Sequence, residues 1–431
     1  MRISRHSLVL PALFILLCNA CTNRAPETPN DTTAYAGAQI IADPSNQPID
    51  DAVLLVREGR VLQLGPRGKV AIPAGATQVD LSGKHILPGM ISSHVHISDV
   101  NGLAPREYTE ANTLRQLGVF ARYGITTVLS LGGEKEPAFA LREAQDTPSL
   151  NRARLFLSGD IITGKTPEEA RAQVVAVAAV RPDWIKIRVD DNLGTSPKMT
   201  PAVYRAVIDE AHARGLRLAA HVFYLDDAKD LLRAGADMIA HSVRDKDIDD
   251  EFISLMKARG IPYCPTLTRE LSTFVYETKP AFFDDPYFQK EADKALVTSL
   301  LDPASQKRFQ DSKSAKGYKA ALEVAKRNLK KASDSGLLIV MGTDAGPMPE
   351  RFQGYFEHLE MEMMVEAGMS PRQVLVSATS DAARALAKSD IGTLQPGSWA
   401  DFVVLDRDPL ADIRNTRSIS SVRIAGNPVS Q

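Results

Sequence analysis

Trp184-Ile185-Lys186-Ile187-Arg188-Val189 is an apolar run with a lysine inside it. Side chains alternate between the two faces of a strand, so Lys186 and Arg188 share one face. A lysine aimed into an apolar interior is a costly unpaired charge, and burial favours its neutral amine. Such a run needs a reason to keep its lysine inside, and its neighbours in the chain supply the setting. Candidate strands recur at 90–97, 125–131, 154–158, 184–189, 216–222, 238–243, 262–267 and 338–343, separated by helical stretches. Eight strands in that alternation predict an α/β protein, a (β/α)₈ TIM-like barrel over residues 87–390. Thr166-Pro167-Glu168-Glu169 supports one of the intervening helices by supplying an N-cap, an N1 proline and an N3 glutamate.

Outward from the barrel the pattern changes. Short apolar stretches with turn pairs such as Asp43-Pro44 and Gly65-Pro66 predict small strands over 36–86, and strands return over 391–431. The two ends are expected to pair as one small β-sandwich. Residues 22–35, rich in Thr, Asn, Pro and Asp, read as a linker. Residues 1–21 read as an export signal, with Arg2 and Arg5 ahead of an apolar run at 8–17 that is too short to span a bilayer. The expected location is therefore the periplasm, the outer membrane or the medium. Ala20-Cys21 offers two fates: a lipid anchor on Cys21, the one expected membrane contact, or plain cleavage and a soluble product.

Fifty-one basic against 53 acidic residues leave a net charge of −2, which gives no field for nucleic acid and makes a small-molecule substrate the default. The three cysteines, Cys18, Cys21 and Cys264, form no disulfide framework. An aromatic-rich insertion at 268–335, ending in an expected helix over 316–333, follows the seventh strand. A substrate wall or lid is one reading of it, and a packing excursion or homo-oligomer contact is the other.

Four of the eight histidines fall where strands end: His94, His96, His221 and His241. The two-residue spacing of His94 and His96 lets both imidazoles reach one metal. His221 and His241 close apolar runs at the mouth of the expected barrel, where active sites of this architecture lie. Asp344 stands in the same place after Leu337-Leu338-Ile339-Val340-Met341, placed for a metal or a proton. A neutral Lys186 amine can take up carbon dioxide as a carbamate, whose two oxygens bridge two cations. Imidazole and carboxylate donors favour Zn²⁺, and the same set accepts cobalt, manganese or nickel.

Leu87-Pro88-Gly89-Met90-Ile91-Ser92-Ser93-His94-Val95-His96, the strand lysine Lys186, His221, His241 and Gly342-Thr343-Asp344-Ala345 together resemble the metal-dependent amidohydrolase superfamily. The likeness is closest to its imidazolonepropionase-related and dipeptidase-like branch. Met363-Met364-Val365-Glu366-Ala367-Gly368-Met369-Ser370-Pro371 and Gly392-Thr393-Leu394-Gln395-Pro396-Gly397 extend it beyond the site. The resemblance implies two divalent metals: His94, His96 and Asp344 on the more buried one, His221 and His241 on the other, carboxylated Lys186 between them. A hydroxide bridging the metals would attack an amide, peptide or cyclic amide carbonyl, with Asp344 as the catalytic proton carrier.

Substrate contacts are expected from Arg188, which shares the strand face of Lys186, from Tyr224 and from His358, whose alternative is to tether its helix. Relatives that act on dipeptides carry tyrosine where Phe223 stands, and many carry Arg-Asp where Leu129-Ser130 stand, which argues against a specific dipeptidase assignment. Two other readings stay open: a mononuclear deaminase or ring-opening hydrolase, and a periplasmic binding protein without catalysis.

Overall fold

The computed structural model describes residues 31–430. The expected export signal, the Cys21 anchor and most of the expected linker lie outside the described residues. Five strands come first: β1 (Thr33–Ile40), β2 (Ile49–Arg57), β3 (Arg60–Pro66), β4 (Thr77–Asp80) and β5 (His85–Pro88). Seven alternate with helices: β6 (Met90–Val95), β7 (Ile125–Ser130), β8 (Arg154–Leu157), β9 (Trp184–Val189), β10 (Arg217–Val222), β11 (Met238–Ala240) and β12 (Tyr263–Cys264). The last three are β13 (Phe402–Leu405), β14 (Ile419–Ile424) and β15 (Asn427–Pro428). Among the described residues no helix is long and apolar enough to cross a membrane.

Both chain ends enter one mixed sheet of eight strands, ordered β15-β14-β13-β5-β1-β2-β3, with β4 paired to β1. The join is antiparallel between β13 and β5, Phe402 opposite Pro88 and Leu405 opposite His85. Two expected boundaries move. The sheet begins at Thr33, not Ala36, because Thr33, Ala34 and Tyr35 pair with Val56, Leu55 and Leu54, which takes residues 33–35 out of the linker. Residues 87 and 88 belong to β5 and so to this sheet, and the switch to the alternating region falls at Gly89. A Cβ on Gly89 would lie 2.0 Å from Thr126 Oγ1, so only glycine lets the chain pass there.

The alternating region contains two parallel sheets, β6-β7-β8 and β12-β11-β10-β9. Three isolated parallel bridges stand beside them: Ile162 with Ile187, Tyr263 with Ile339, and Val95 with Ala345. The expected strand at 338–343 is not a regular strand. It bonds on both sides, Tyr263 N–H to Leu338 O at 2.8 Å and Ser93 N–H to Met341 O at 2.7 Å, but the Met341 N–H turns away to Ser377 O at 3.0 Å. The strand expected at 262–267 likewise shrinks to two residues, because the chain turns at Thr266 (φ 51°) into the helix Leu267–Leu271.

The helix Pro167–Ala178 starts as expected, with Thr166 Oγ1 accepting from the Glu169 N–H at 3.2 Å. A continuous apolar core runs from Leu87 through β6–β12 to Ala425 and includes Trp184, Ile185, Ile187, Leu218 and Met341. The insertion is ordered around its aromatic residues: Tyr276, Phe283 and Phe288 pack with Phe352, Tyr355 and Phe356, just beyond Asp344 in the chain. Its long helix spans Lys313–Asp334, slightly more than the expected 316–333.

Candidate metal centre

β9 holds Lys186 opposite Ala219 of β10, and β10 holds His221 opposite Ala240, immediately before His241. His221 and His241 therefore come to the same ends of adjacent parallel strands, with Lys186 inside β9 two residues earlier in the register. His94 is the penultimate residue of β6 in the other parallel sheet, and the 338–343 segment runs beside it. Gly342 makes that approach: a Cβ there would lie 2.7 Å from His94 N and 2.6 Å from Cys264 Sγ. The Asp344 N–H then donates to His94 O at 2.8 Å.

Ligand atoms of His94, His241 and Asp344 lie within 4.8 Å of one another, all three residues buried. The His94 and His241 ring centroids are 4.5 Å apart, and those of His221 and His241 4.1 Å. His96 Nε2 is 2.9 Å from Asp344 Oδ1, and His94 Nε2 is 3.4 Å from the same oxygen. Lys186 Nζ hydrogen-bonds His94 Nε2 at 3.0 Å. His241 at φ 75° and Asp344 at φ 62° sit in the left-handed region, a strain of about 1–3 kcal/mol each that the packed surroundings must hold.

Burial dominates the electrostatics. It brings the Lys186 amine down to about 8 and the His221 imidazole down to about 3, and it holds His94 and His241 well below the usual histidine range. These histidines are neutral near pH 7 and offer lone pairs. Burial pushes Asp344 up, but the Arg351 guanidinium and the hydrogen bond from His96 outweigh it and hold the carboxyl well below its usual range. The donor set fits a divalent cation: neutral imidazoles, an ionised carboxylate and a buried amine. His94 Nδ1 is a further buried polar atom with no hydrogen-bond partner among the described residues.

The substrate candidates separate. Arg188 keeps 41% of its side chain exposed, directly after the buried Lys186 on the same strand face, and reaches toward Asp190 and Asn192. Tyr224 donates to Asp191 Oδ1 at 2.8 Å. His358 is buried in the fold, bonded to Thr416 Oγ1 at 2.9 Å, Tyr123 O at 2.8 Å and Tyr287 at 3.0 Å, so it tethers its helix and does not face substrate.

Residues not anticipated from sequence complete the site. Arg351 pairs with Asp344 Oδ2 and donates to Ser272 Oγ at 3.0 Å. Asp190 Oδ2 accepts from His221 Nε2 at 2.7 Å. Asp190 had a signal, since Lys186, Arg188 and Asp190 share one strand parity; Arg351, in a loop, had none. Glu134 is buried nearby and accepts from the Gly132 and Gly159 N–H groups, each at 2.8 Å. Arg244 braces two site loops, its Nη1 donating to Val222 O at 2.7 Å and Ser242 O at 2.6 Å.

Known proteins share this arrangement of chain. A protein of Mycobacterium tuberculosis (strain ATCC 25618 / H37Rv), itself uncharacterised, is 26% identical over 358 residues, 78% of this chain and 82% of that protein. The imidazolonepropionase of Streptomyces avermitilis is 23% identical over 377 residues, 83% of this chain and 81% of the enzyme. Among solved structures, a Bifidobacterium longum protein with a provisional prolidase assignment superposes with a TM-score of 0.76 at 26% identity, covering 93% of this chain and 95% of its own. A Xaa-Pro dipeptidase solved with methionine in its active site gives a TM-score of 0.71 at 21% identity, covering 92% of this chain and 99% of its own, a likeness of fold. The amidohydrolase family model matches residues 85–429, from β5 through β15. The chain belongs to the amidohydrolase family, whose members are metal-dependent, and is a hydrolase of carbon–nitrogen bonds.

Proposed function

We propose that this chain is an exported amidohydrolase that cleaves an amide, peptide or cyclic amide bond with two divalent cations, zinc as first choice, and with Lys186 as a carbamate between them. One observation carries the reading: His94, His241 and Asp344 bring ligand atoms within 4.8 Å of one another, beside a buried lysine whose amine hydrogen-bonds only His94 among the described residues. His96 and His221 stand at the margins of that set. Cations held by His94, His96, His221, His241, Asp344 and Lys186 would supply Lewis acidity for activating water and a carbonyl. Asp344 Oδ1, flanked by His94 and His96, accepts the proton of the attacking water and returns it to the leaving amine. Arg351 steadies the other carboxylate oxygen, and Arg188 at the rim is our assignment for a substrate carboxylate. The imidazolonepropionase among the relatives favours a cyclic amide, and the provisional prolidase a peptide.

The architecture supports this reading. We infer that the two parallel sheets and the 338–345 segment close as a (β/α)₈ barrel, because the isolated bridges lead from one sheet into the next. The mixed sheet curls toward a small sandwich: Tyr35 of β1 and Phe402 of β13, on strands separated by β5, bring their ring centroids to 5.0 Å. Export rests on the Arg2, Arg5 and 8–17 pattern.

A second reading, one metal in a deaminase or ring-opening hydrolase, is favoured by the grouping of three donors alone. Metal content per purified chain, with the mass of the Lys186 peptide under non-acidic conditions, separates the two. Two metals and a carbon dioxide adduct support the proposal, while one metal and an unmodified lysine support the alternative. A screen of dipeptides, N-acyl amino acids and lactams then names the bond, with Asp344→Asn as control. Unchanged turnover in that variant would overturn the assigned proton carrier.

A further inference from the structure

We propose that Asp190 is a positioning residue that fixes His221 as its Nε2–H tautomer and leaves Nδ1 as the metal donor; the assignment rests on the two-metal reading above. An ionised carboxylate only accepts, so the 2.7 Å bond between Asp190 Oδ2 and His221 Nε2 places the ring hydrogen on Nε2. His221 Nδ1 makes no hydrogen bond within the described residues, and its ring lies 4.1 Å from that of His241. His241 is turned the opposite way. Its Nδ1 meets Thr266 Oγ1 at 2.6 Å and it presents Nε2, while His96 is bonded at both nitrogens, Nδ1 to Gly132 O at 3.1 Å and Nε2 to Asp344 Oδ1 at 2.9 Å. His221 is distinguished by a carboxylate on Nε2 that lies outside the expected ligand set.

Asp190 is itself held. Its side chain has no exposure, its Oδ1 accepts from the Asn192 N–H at 2.8 Å, and Arg188 Nη2 stands 3.7 Å from its Oδ2. The chain then turns through Asn192 (φ 53°), Leu193 (φ 59°) and Gly194 (φ 82°), and Leu193 packs against Phe223 and Tyr224, the residues after His221. The loop that carries Asp190 is thus locked onto the loop that follows His221. Carboxylates placed behind metal-binding histidines set ring orientation, and their removal lowers metal affinity about 10–100-fold.

The test uses the full chain as wild type, Asp190→Ala, Asp190→Asn and His221→Ala. Nitrogen-15 NMR of the metal-free proteins reads the His221 tautomer, and zinc affinity is read by competition with a chelator. The expected results are an Nε2–H ring in wild type, mixed tautomers in Asp190→Ala, and one zinc site weakened about 10–100-fold in that variant. Asp190→Asn, whose carbonyl oxygen still accepts, should lose less. Unchanged zinc affinities in Asp190→Ala, or an Nδ1–H ring in wild type, would overturn the proposal. Loss of one zinc from Asp190→Ala as complete as from His221→Ala would also overturn it, by making Asp190 a direct ligand. Wild-type protein that binds no zinc would defeat the two-metal reading instead, leaving the tautomer measurement to decide the hydrogen-bond assignment.

Discussion

Nζ of Lys186 lies 3.0 Å from Nε2 of His94, with His94 fully buried and Lys186 only 2% exposed. No carboxylate neutralises the amine within ion-pair distance among the described residues, and burial keeps it near the edge of deprotonation. An amine in that state is a poor structural cation and a good nucleophile toward carbon dioxide.

Lys186→Met keeps much of the stem volume and removes the nucleophile. Metal content should fall from two ions per chain to at most one, by elemental analysis after dialysis. Added bicarbonate should raise metal uptake by metal-depleted wild type and have no effect on the variant. Equal metal content in both proteins would sink the bridging role.

Acid should unfold the metal-free protein early. His94, His221, His241 and His358 are all held neutral by burial, with folded values below the unfolded histidine near 6.5. Between those values the unfolded chain binds protons that the folded chain refuses, so stability falls as pH drops below about 6.5, each histidine contributing at most about 1.4 kcal/mol per pH unit. Urea midpoints at pH 7, 6 and 5 measure the slope. Replacing His358, which lies outside the metal centre, with Gln should flatten it.

Arg351→Met removes the counter-charge of a buried Asp344. The expected loss is about 3–5 kcal/mol in the metal-free protein above pH 4, where the carboxylate is ionised. The folded pKa of Asp344 is depressed, so this stability is present above its unfolded value near 4 and is lost as pH falls further. Wild type and variant should therefore converge toward low pH in chemical denaturation. Saturating zinc should narrow the gap at pH 7, because a bound cation replaces the missing charge.

Much of this centre is legible in sequence because strands impose a period of two and end at one face. Lys186 is conspicuous against Ile185 and Ile187, and His221 and His241 close apolar runs. Asp190 obeys the same parity, but it lies past the apolar run, where a carboxylate resembles an ordinary turn residue. Arg351 and the tether made by His358 follow no period, since long-range packing brings Tyr123 and Thr416 to the imidazole. The 338–343 segment has a strand's composition, yet the diversion of one N–H to Ser377 interrupts its ladder, and composition carries no sign of that.

The mixed sheet should be energetically tied to the parallel region through Arg154 and Asp401. Arg154 Nε meets Asp401 Oδ2 at 2.7 Å with side chains only 2% and 3% exposed, and Asp401 also accepts from the Ala425 N–H at 2.7 Å. Asp401→Ala leaves a buried guanidinium with only the exposed Asp146 carboxylate, 3.8 Å away, as counter-charge, at up to about 3–5 kcal/mol. A single cooperative transition at lower denaturant is expected. Two separated transitions would show that the mixed sheet unfolds independently.

Arg244, Glu270 and Arg269 support an asymmetric prediction. One oxygen of Glu270 serves both guanidinium groups, Arg244 Nε at 2.9 Å and Arg269 Nη1 at 2.8 Å, with Arg244 and Glu270 fully enclosed. Arg244→Met removes one cation and leaves Glu270 paired with Arg269, although it frees the carbonyls of Val222 and Ser242 beside the site histidines. Glu270→Leu strands two buried cations at once. Breaking a buried pair costs about 3–5 kcal/mol because the remaining charge cannot reach water, so the glutamate variant should be the less stable of the two. Their effects on metal should run in the opposite order of directness: Arg244→Met should weaken zinc binding in a protein that still folds, since the carbonyls it holds follow His221 and His241. Denaturation midpoints and zinc competition on both variants test the pair of rankings, and an Arg244→Met protein with lowered stability but unchanged zinc affinity would confine that arginine to the fold.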